Sequence, residues 1–227
     1  MFSINKNFTV SESYISGSEH KIIIIDNAFN DLDKIINYAN NTAYFQPPGK
    51  DGTLYPGSRD EMPAPYYEAF TTLLGCVFPS SIKHQIARCW LSKITVKPDQ
   101  LSPMQTMPHY DSLLNEDMAA VHYLSGNELG GTNFYRYREC EHITLSQSDE
   151  PLIINMLKQH QASKATGYIE QSNEVFEKVH SVEAKPNRII IYSGNILHSP
   201  SVTKYVEFDK KSPNSRTSIN SFFKRLN

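Results

Sequence analysis

The sequence predicts a mainly β protein of the α+β class, with an antiparallel sandwich or barrel at its centre. Three observations support this class. The second half of the chain shows no alternation of strands with helices. Its apolar runs are short and are separated by turn-forming residues, which is typical of antiparallel strands. The helical patterns cluster early in the chain, so we expect the helices to support the sheet.

The individual elements follow from the spacing of apolar residues. Lys21–Asp26 (KIIIID) is a β-branched run typical of a buried strand. A helical stripe follows at residues 32–39, where Asn30 or Asp31 can cap the helix. The strands at Met118–Leu124 and Thr132–Arg138 can pair as a hairpin. The other predicted elements are helices at Tyr66–Val77 and Ser148–His160, and strands at Ile86–Pro98, Val175–Ala184, Arg188–Tyr192 and Ser218–Phe223.

Composition excludes several classes of protein. The net charge is −2 and no long Lys/Arg run is present, so we expect no nucleic-acid partner. The longest aliphatic run, Ile22–Ile25, is too short to cross a membrane. The first residues lack the pattern of a secretory signal, and the three cysteines form no CxxC motif. We therefore expect a reduced, cytoplasmic protein without a membrane partner.

The length of 227 residues suits one domain. We predict a single domain over residues 1–227, in which residues 1–84 support a β core at 85–227. The helix at about 146–162 is an insertion in that core.

A candidate metal site begins at His109 and Asp111, in MPHYDS. In an extended segment, side chains two residues apart point to the same side, so both can bind one ion. The pair alone is a weak signal, and a hydrogen-bonded pair in a loop is the alternative. His198, in NILHSP after an apolar strand, is the candidate third ligand; the alternative is a core histidine. Two histidines and one carboxylate form the facial triad of non-haem Fe(II) oxygenases.

Arg216 and Ser218 lie on one face of the last predicted strand by its two-residue period. An arginine on the inner face needs an anionic partner, because burying an unpaired charge is unfavourable. A dicarboxylate cosubstrate would supply that partner through a bidentate contact, with the Ser218 hydroxyl beside it. The alternative is an arginine at the surface or in an ion pair.

Together these segments resemble the 2-oxoglutarate/Fe(II)-dependent dioxygenase superfamily, specifically its prolyl-hydroxylase-like branch. They are also similar to an uncharacterised bacterial family within it, sometimes found beside flavin-dependent tryptophan halogenases. The resemblance covers about residues 85–223. The matching motifs are HYD at His109–Asp111, HYL at His122–Leu124, GGTNFY at Gly130–Tyr135, NRIIIYSGNILHSPSVT at 187–203 and RTS at Arg216–Ser218.

The resemblance implies a double-stranded β-helix (jelly-roll, cupin-like) core. It implies that His109, Asp111 and His198 bind Fe(II). Arg216 and Ser218 would bind 2-oxoglutarate, with Tyr123 in the same pocket or, alternatively, in the core. The implied reaction uses dioxygen and usually hydroxylates the substrate, here an amino-acid-like, peptidyl or small-metabolite compound. An aspartate ligand speaks against an iron halogenase, in which chloride replaces the carboxylate.

The irregular segment 45–65 contains five prolines and three glycines, as long binding loops often do. We predict that it folds over the iron site and that Tyr55 and Arg59 contact substrate. The alternative is a solvated connector with Arg59 at the surface. A different class also stays open: a non-catalytic or metal-binding scaffold protein on a degenerate copy of the fold. A cupin-type metalloenzyme without 2-oxoglutarate is a further alternative.

Two features depart from the family pattern. The family usually places its arginine closer to the distal histidine than the eighteen residues that separate Arg216 from His198 here. We predict that residues 204–215 form an inserted surface hairpin, which leaves both strands in register. The segment from Glu139 to Lys185 is also longer than a minimal core needs. It is a lid or an oligomer contact in this interpretation, and a homodimer is one possible assembly.

Overall fold

The computed structural model describes residues 2–202 and 215–226. The surface hairpin predicted at 204–215 therefore falls outside the described residues, apart from Ser215. No helix in the described ranges is both long and apolar enough to cross a membrane. The elements are β1 (Thr9–Tyr14), β2 (Lys21–Asp26), α1 (Leu32–Asn41), β3 (Gly57–Glu61), α2 (Ala64–Val77), β4 (Lys83–Ile94), β5 (Asp117–Tyr123), β6 (Thr132–Tyr137), α3 (Glu150–Ser163), β7 (Phe176–Val182), β8 (Arg188–Ser193), β9 (His198–Pro200) and β10 (Thr217–Leu226).

The strands form two antiparallel sheets. The major sheet has the order β1-β2-β8-β5-β10-β4-β3, and the minor sheet has the order β7-β6-β9. An apolar cluster joins their inner faces, with Val121 and Tyr192 from the major sheet and Phe134 and Val182 from the minor sheet. The predicted mainly β, jelly-roll class is confirmed.

The N-terminal residues belong to the same sheet as the core. Strand β2 pairs with β8, and β3 pairs with β4. Helices α1 and α2 cover the outer face of the major sheet, where Ile35 and Phe70 pack against Leu91 and Ile219. The single domain over residues 1–227 stays a prediction.

One sequence prediction about the strands is wrong, and one strand was not predicted. The segment 45–65 is not irregular throughout, because Gly57–Glu61 forms strand β3 at the edge of the major sheet. GSRDE has no β-branched or aromatic residue, so pairing with β4 overrides its weak local propensity. Strand β1 also had no predicted counterpart; it extends the opposite edge of the sheet by pairing with β2.

The predicted hairpin of β5 and β6 is also wrong, because these strands lie in different sheets. The link between them crosses from one sheet to the other through Gly130 and Gly131. Gly130 has a φ of 91°, in the region that favours glycine. A Cβ on Gly131 would lie 2.0 Å from the carbonyl oxygen of Val182. The glycine pair therefore permits a close crossing.

An ion pair ties β2 to β8. Arg188 donates from Nε to Asp26 Oδ1 at 2.6 Å and from Nη2 to Oδ2 at 2.8 Å. These hydrogen bonds hold the pKa of Asp26 below its ordinary value, against the opposing effect of burial. The stabilisation is therefore complete above the unfolded pKa and is lost as the pH falls through the folded pKa.

We expect Asp26→Asn to lower the free energy of unfolding by about 1–3 kcal/mol at neutral pH, because the charge-assisted bidentate contact is lost. The deficit should shrink at acidic pH, where Asp26 of the parent chain is itself protonated. Urea unfolding at pH 7 and pH 3 measures both values. An equal deficit at the two pH values would contradict this account.

Candidate active site

Three potential metal ligands converge from two segments of the chain. His109 and Asp111 lie in the connection between β4 and β5, which is not a regular strand, and His198 is the first residue of β9. Reciprocal backbone hydrogen bonds of 2.8 and 2.9 Å join His109 to His198, and the Asp111 amide donates to Gly194 at 2.7 Å. The candidate ligand atoms all lie within 4.8 Å of one another. A single ion can therefore contact all three.

The orientation of the side chains suits metal binding. Asp111 Oδ2 lies 3.4 Å from His198 Nε2, and Asp111 Oδ1 lies 3.8 Å from His109 Nε2. His198 Nδ1 is 2.8 Å from the carbonyl oxygen of Ile196. A carbonyl only accepts, so Nδ1 carries a proton, and Nε2 is the ring nitrogen that faces the carboxylate.

Burial and nearby cations determine the protonation of these groups. Burial, together with the charges of His198 and Arg59, lowers the pKa of His109 well below its ordinary value. Burial raises the pKa of Asp111, while His198 and Arg59 act in the opposite direction. The side chain of His109 is 49% exposed, but this surface faces the cavity described next. A neutral imidazole at His109 is the form that binds metals.

The three ligands line a cavity of about 590 Å³, a size typical of small-molecule sites. One wall is the inner face of the major sheet, which contributes Val121, Tyr192 and Asn220. Another part of the wall includes Ile153 and Leu157 from α3. The long segment 139–185 therefore supplies part of the cavity wall.

Arg216 lies just before β10 and also lines this cavity, with only 6% of its surface exposed. Its Nη2 donates to the carbonyl oxygen of Gly131 at 2.6 Å. Its Nε is buried and has no hydrogen-bond partner among the described residues. The alternative of a surface arginine is therefore wrong. The carbonyl that orients Arg216 belongs to the glycine pair at the sheet crossing.

Ser218 and Tyr123 lie next to each other, since they are paired in register between β10 and β5. Both are buried, but neither lines the cavity. The Tyr123 hydroxyl is 2.7 Å from Thr132 Oγ1, and Ser218 donates to Asn220 Oδ1 at 2.8 Å. Their partners, Thr132 and Asn220, do line the cavity. The structure thus brings Arg216 to the cavity and places the other two behind its surface.

Tyr55 and Arg59 line the same cavity as the metal ligands. Arg59 is 7% exposed and forms an ion pair with Asp51 at 3.2 Å, so the alternative of a surface connector is wrong. The Arg59 guanidinium stacks on the ring of Tyr55, 4.0 Å from its centroid. The Tyr55 hydroxyl is buried and has no hydrogen-bond partner in the described part of the chain.

Two further parts of the cavity wall were not identified from the sequence. Trp90, in β4, is half-buried and lines the cavity. Thr132 was seen only as part of the GGTNFY motif. Period-two alternation along β4 and β6 was the available signal, but it does not show which face borders a cavity.

Comparison with solved structures identifies the same fold in HygX from Streptomyces hygroscopicus. HygX with iron bound has a TM-score of 0.52 and 10% identity, over 89% of this chain and 81% of HygX. HygX with nickel and 2-oxoglutarate bound has a TM-score of 0.52 and 12% identity, over 89% of this chain and 82% of HygX. At these identities the likeness establishes only that this chain and HygX share a fold.

No curated protein has a matching sequence. A family model described as a family of unknown function, DUF6445, matches residues 6–223, which is nearly the whole chain. The chain therefore belongs to the DUF6445 family.

Proposed function

We propose that this protein is an Fe(II)- and 2-oxoglutarate-dependent oxygenase, with His109, Asp111 and His198 as the iron ligands. The observation that carries the proposal is the convergence of these three donors in a cavity that also contains the buried, incompletely paired Arg216. Two neutral imidazoles and one carboxylate are the donor set that suits Fe(II) in such enzymes. The finer assignments, a hydroxylase of the prolyl-hydroxylase-like branch, form part of the same proposal.

Arg216 would bind the distal carboxylate of 2-oxoglutarate. Its unpaired Nε needs an acceptor, because a buried donor without a partner costs about 1–3 kcal/mol. Burial raises the pKa of the Tyr55 hydroxyl, which is also unpaired among the described residues, and the nearby charge of Arg216 acts in the opposite direction. Ser218 lies near the same hydroxyl. Tyr123 would contribute to the pocket indirectly, by orienting the Thr132 hydroxyl through their hydrogen bond.

When bound, iron and 2-oxoglutarate supply the oxidising chemistry, which consumes dioxygen and converts 2-oxoglutarate to succinate and carbon dioxide. The chain's own residues position these groups and exclude water from the site. The apolar side chains of Met107, Ile153 and Leu157 line the cavity around the ligands. Such walls strengthen the electrostatic contacts of Asp111 and Arg216 inside the site. The cavity volume favours a small-molecule or amino-acid-like substrate.

The test is an anaerobic titration of the chain with Fe(II) followed by 2-oxoglutarate. We expect a visible charge-transfer band as the 2-oxoacid group chelates the metal, and succinate release once dioxygen is admitted. A non-catalytic scaffold would bind metal without producing succinate. A cupin-type enzyme that does not use 2-oxoglutarate would show no such band. If the band is absent from this chain at saturating Fe(II) and 2-oxoglutarate, the proposal is refuted.

The cytoplasmic location stays a prediction from the cysteines and composition. The homodimer stays a prediction as well, and sedimentation of the purified chain would test it.

A further inference from the structure

Arg59 is held rigidly at the edge of the cavity. Its Nη1 donates to Asp51 Oδ2 at 3.2 Å and to Thr53 Oγ1 at 3.3 Å. The ring of Tyr55 supports the face of the guanidinium. The backbone of Arg59 exchanges two hydrogen bonds with Gln46. Asp51 is itself oriented by the amide and hydroxyl of Thr53. The side chain is therefore fixed before any ligand arrives.

The rest of the guanidinium makes no hydrogen bond to the described residues. Both hydrogen bonds of Arg59 to described residues come from Nη1, and the buried Nε has no partner among them. The Nε–Nη2 edge is one of the two edges with which arginine binds a carboxylate through parallel hydrogen bonds. A buried charged donor without an acceptor is unfavourable, so this edge fits an anionic ligand.

Arg59 lines the same cavity as the proposed metal ligands His109 and Asp111. Arg216 has a separate place in the cavity, next to Gly131, and its own unpaired Nε suits 2-oxoglutarate. The cavity thus contains two buried arginines, each with an unpaired Nε, and one cosubstrate does not need both.

Much of the wall of the cavity that Arg59 lines is apolar. Leu54, Trp90, Ile153 and Leu157 line the cavity, which is large enough to hold a second small molecule beside 2-oxoglutarate. An apolar wall with one fixed cation complements a molecule that has an acidic group and an apolar body.

We propose that Arg59 determines substrate specificity by binding a carboxylate of the primary substrate through its Nε–Nη2 edge. The substrate class is then a small carboxylic acid with an apolar body. This inference rests on the proposed oxygenase function, in which Arg216 serves 2-oxoglutarate.

The experiment compares acids with their primary amides. The probes are hexanoate, phenylacetate, indole-3-acetate and N-acetyl-L-phenylalanine, each paired with its amide. Binding is measured by anaerobic calorimetry, with and without Fe(II) and 2-oxoglutarate. The chains are the parent, Arg59→Gln, Arg59→Lys and the control Arg88→Gln. Arg88 is a neighbouring arginine that does not line the cavity.

We expect at least one acid to bind the parent about 10- to 100-fold more tightly than its amide, as charged hydrogen bonds allow. Arg59→Gln should abolish this preference, and Arg59→Lys should reduce it because lysine lacks the planar edge. Arg88→Gln should retain it. If Arg59→Gln does not fold, Arg59→Lys decides the result.

No preference for any acid in the parent, or a preference unchanged in the Arg59 variants, overturns the inference. Loss of the charge-transfer band in Arg59→Lys also overturns it, since Arg59 would then bind 2-oxoglutarate. Absence of the charge-transfer band in the parent chain refutes the proposed function instead. In that case the binding of acids and amides measured without Fe(II) still tests the role of Arg59.

Discussion

Replacing His198 with alanine is expected to abolish the Fe(II)–2-oxoglutarate charge-transfer band and to lower succinate formation on the order of a thousandfold. His198 is the candidate donor of the minor sheet, and its Nε2 is oriented by the bond from Nδ1 to Ile196. Without it, only His109 and Asp111 remain to hold the ion. Loss of a catalytic metal removes several kcal/mol of transition-state stabilisation, and about 1.4 kcal/mol corresponds to tenfold in rate.

The matched control is His142→Ala, because His142 is exposed and does not line the cavity. Both variants should retain the far-ultraviolet circular dichroism of the parent. A variant lacking the His198 imidazole that still binds Fe(II) tightly and forms the band would exclude His198 as a ligand.

Replacing Arg216 with alanine is expected to raise the Kd for 2-oxoglutarate by about 100-fold while leaving Fe(II) binding nearly unchanged. The reason is the loss of a buried charge-assisted contact, which typically costs about 2–5 kcal/mol when one partner is removed. Arg216→Lys should recover only part of the affinity, because the ammonium group keeps the charge but not the planar geometry. Anaerobic titration of the band with 2-oxoglutarate measures both values.

Arg225→Ala is the control for this comparison. Arg225 lies near the far end of the same strand, β10, and its Nη2 bonds to the carbonyl oxygen of Asn115 rather than facing the cavity. If the Kd for 2-oxoglutarate is unchanged in Arg216→Ala but higher in the Arg59 variants, the roles assigned to the two arginines are reversed.

Much of the fold was predictable because the responsible patterns are local. The apolar run in Arg188–Ser193 and the β-branched run of Lys21–Asp26 each identify a strand without reference to a partner. The two-residue period also correctly places adjacent residues of β5 on opposite faces of the major sheet. His122 hydrogen-bonds to the Tyr66 hydroxyl and stacks on Phe29, while the adjacent Tyr123 points towards the minor sheet.

The errors concern contacts between residues far apart in the sequence. The edge strand β3 exists because β4 offers it a backbone to pair with, and the residues of β3 alone do not indicate a strand. The hairpin of β5 and β6 was predicted from proximity along the chain. The glycine pair instead sends the chain to the other sheet.

The amino-acid order alone established which chemical groups are available and how they are spaced: a histidine and an aspartate two residues apart, a distant histidine, and an arginine that opens a strand. It did not establish that Arg59 is buried beside the ligands, nor that Nε of each arginine lacks a partner among the described residues. Those properties arise only when the sheets pack and α3 covers the cavity. Burial depends on which distant surfaces meet, whereas side-chain chemistry and strand period are contained in the chain itself.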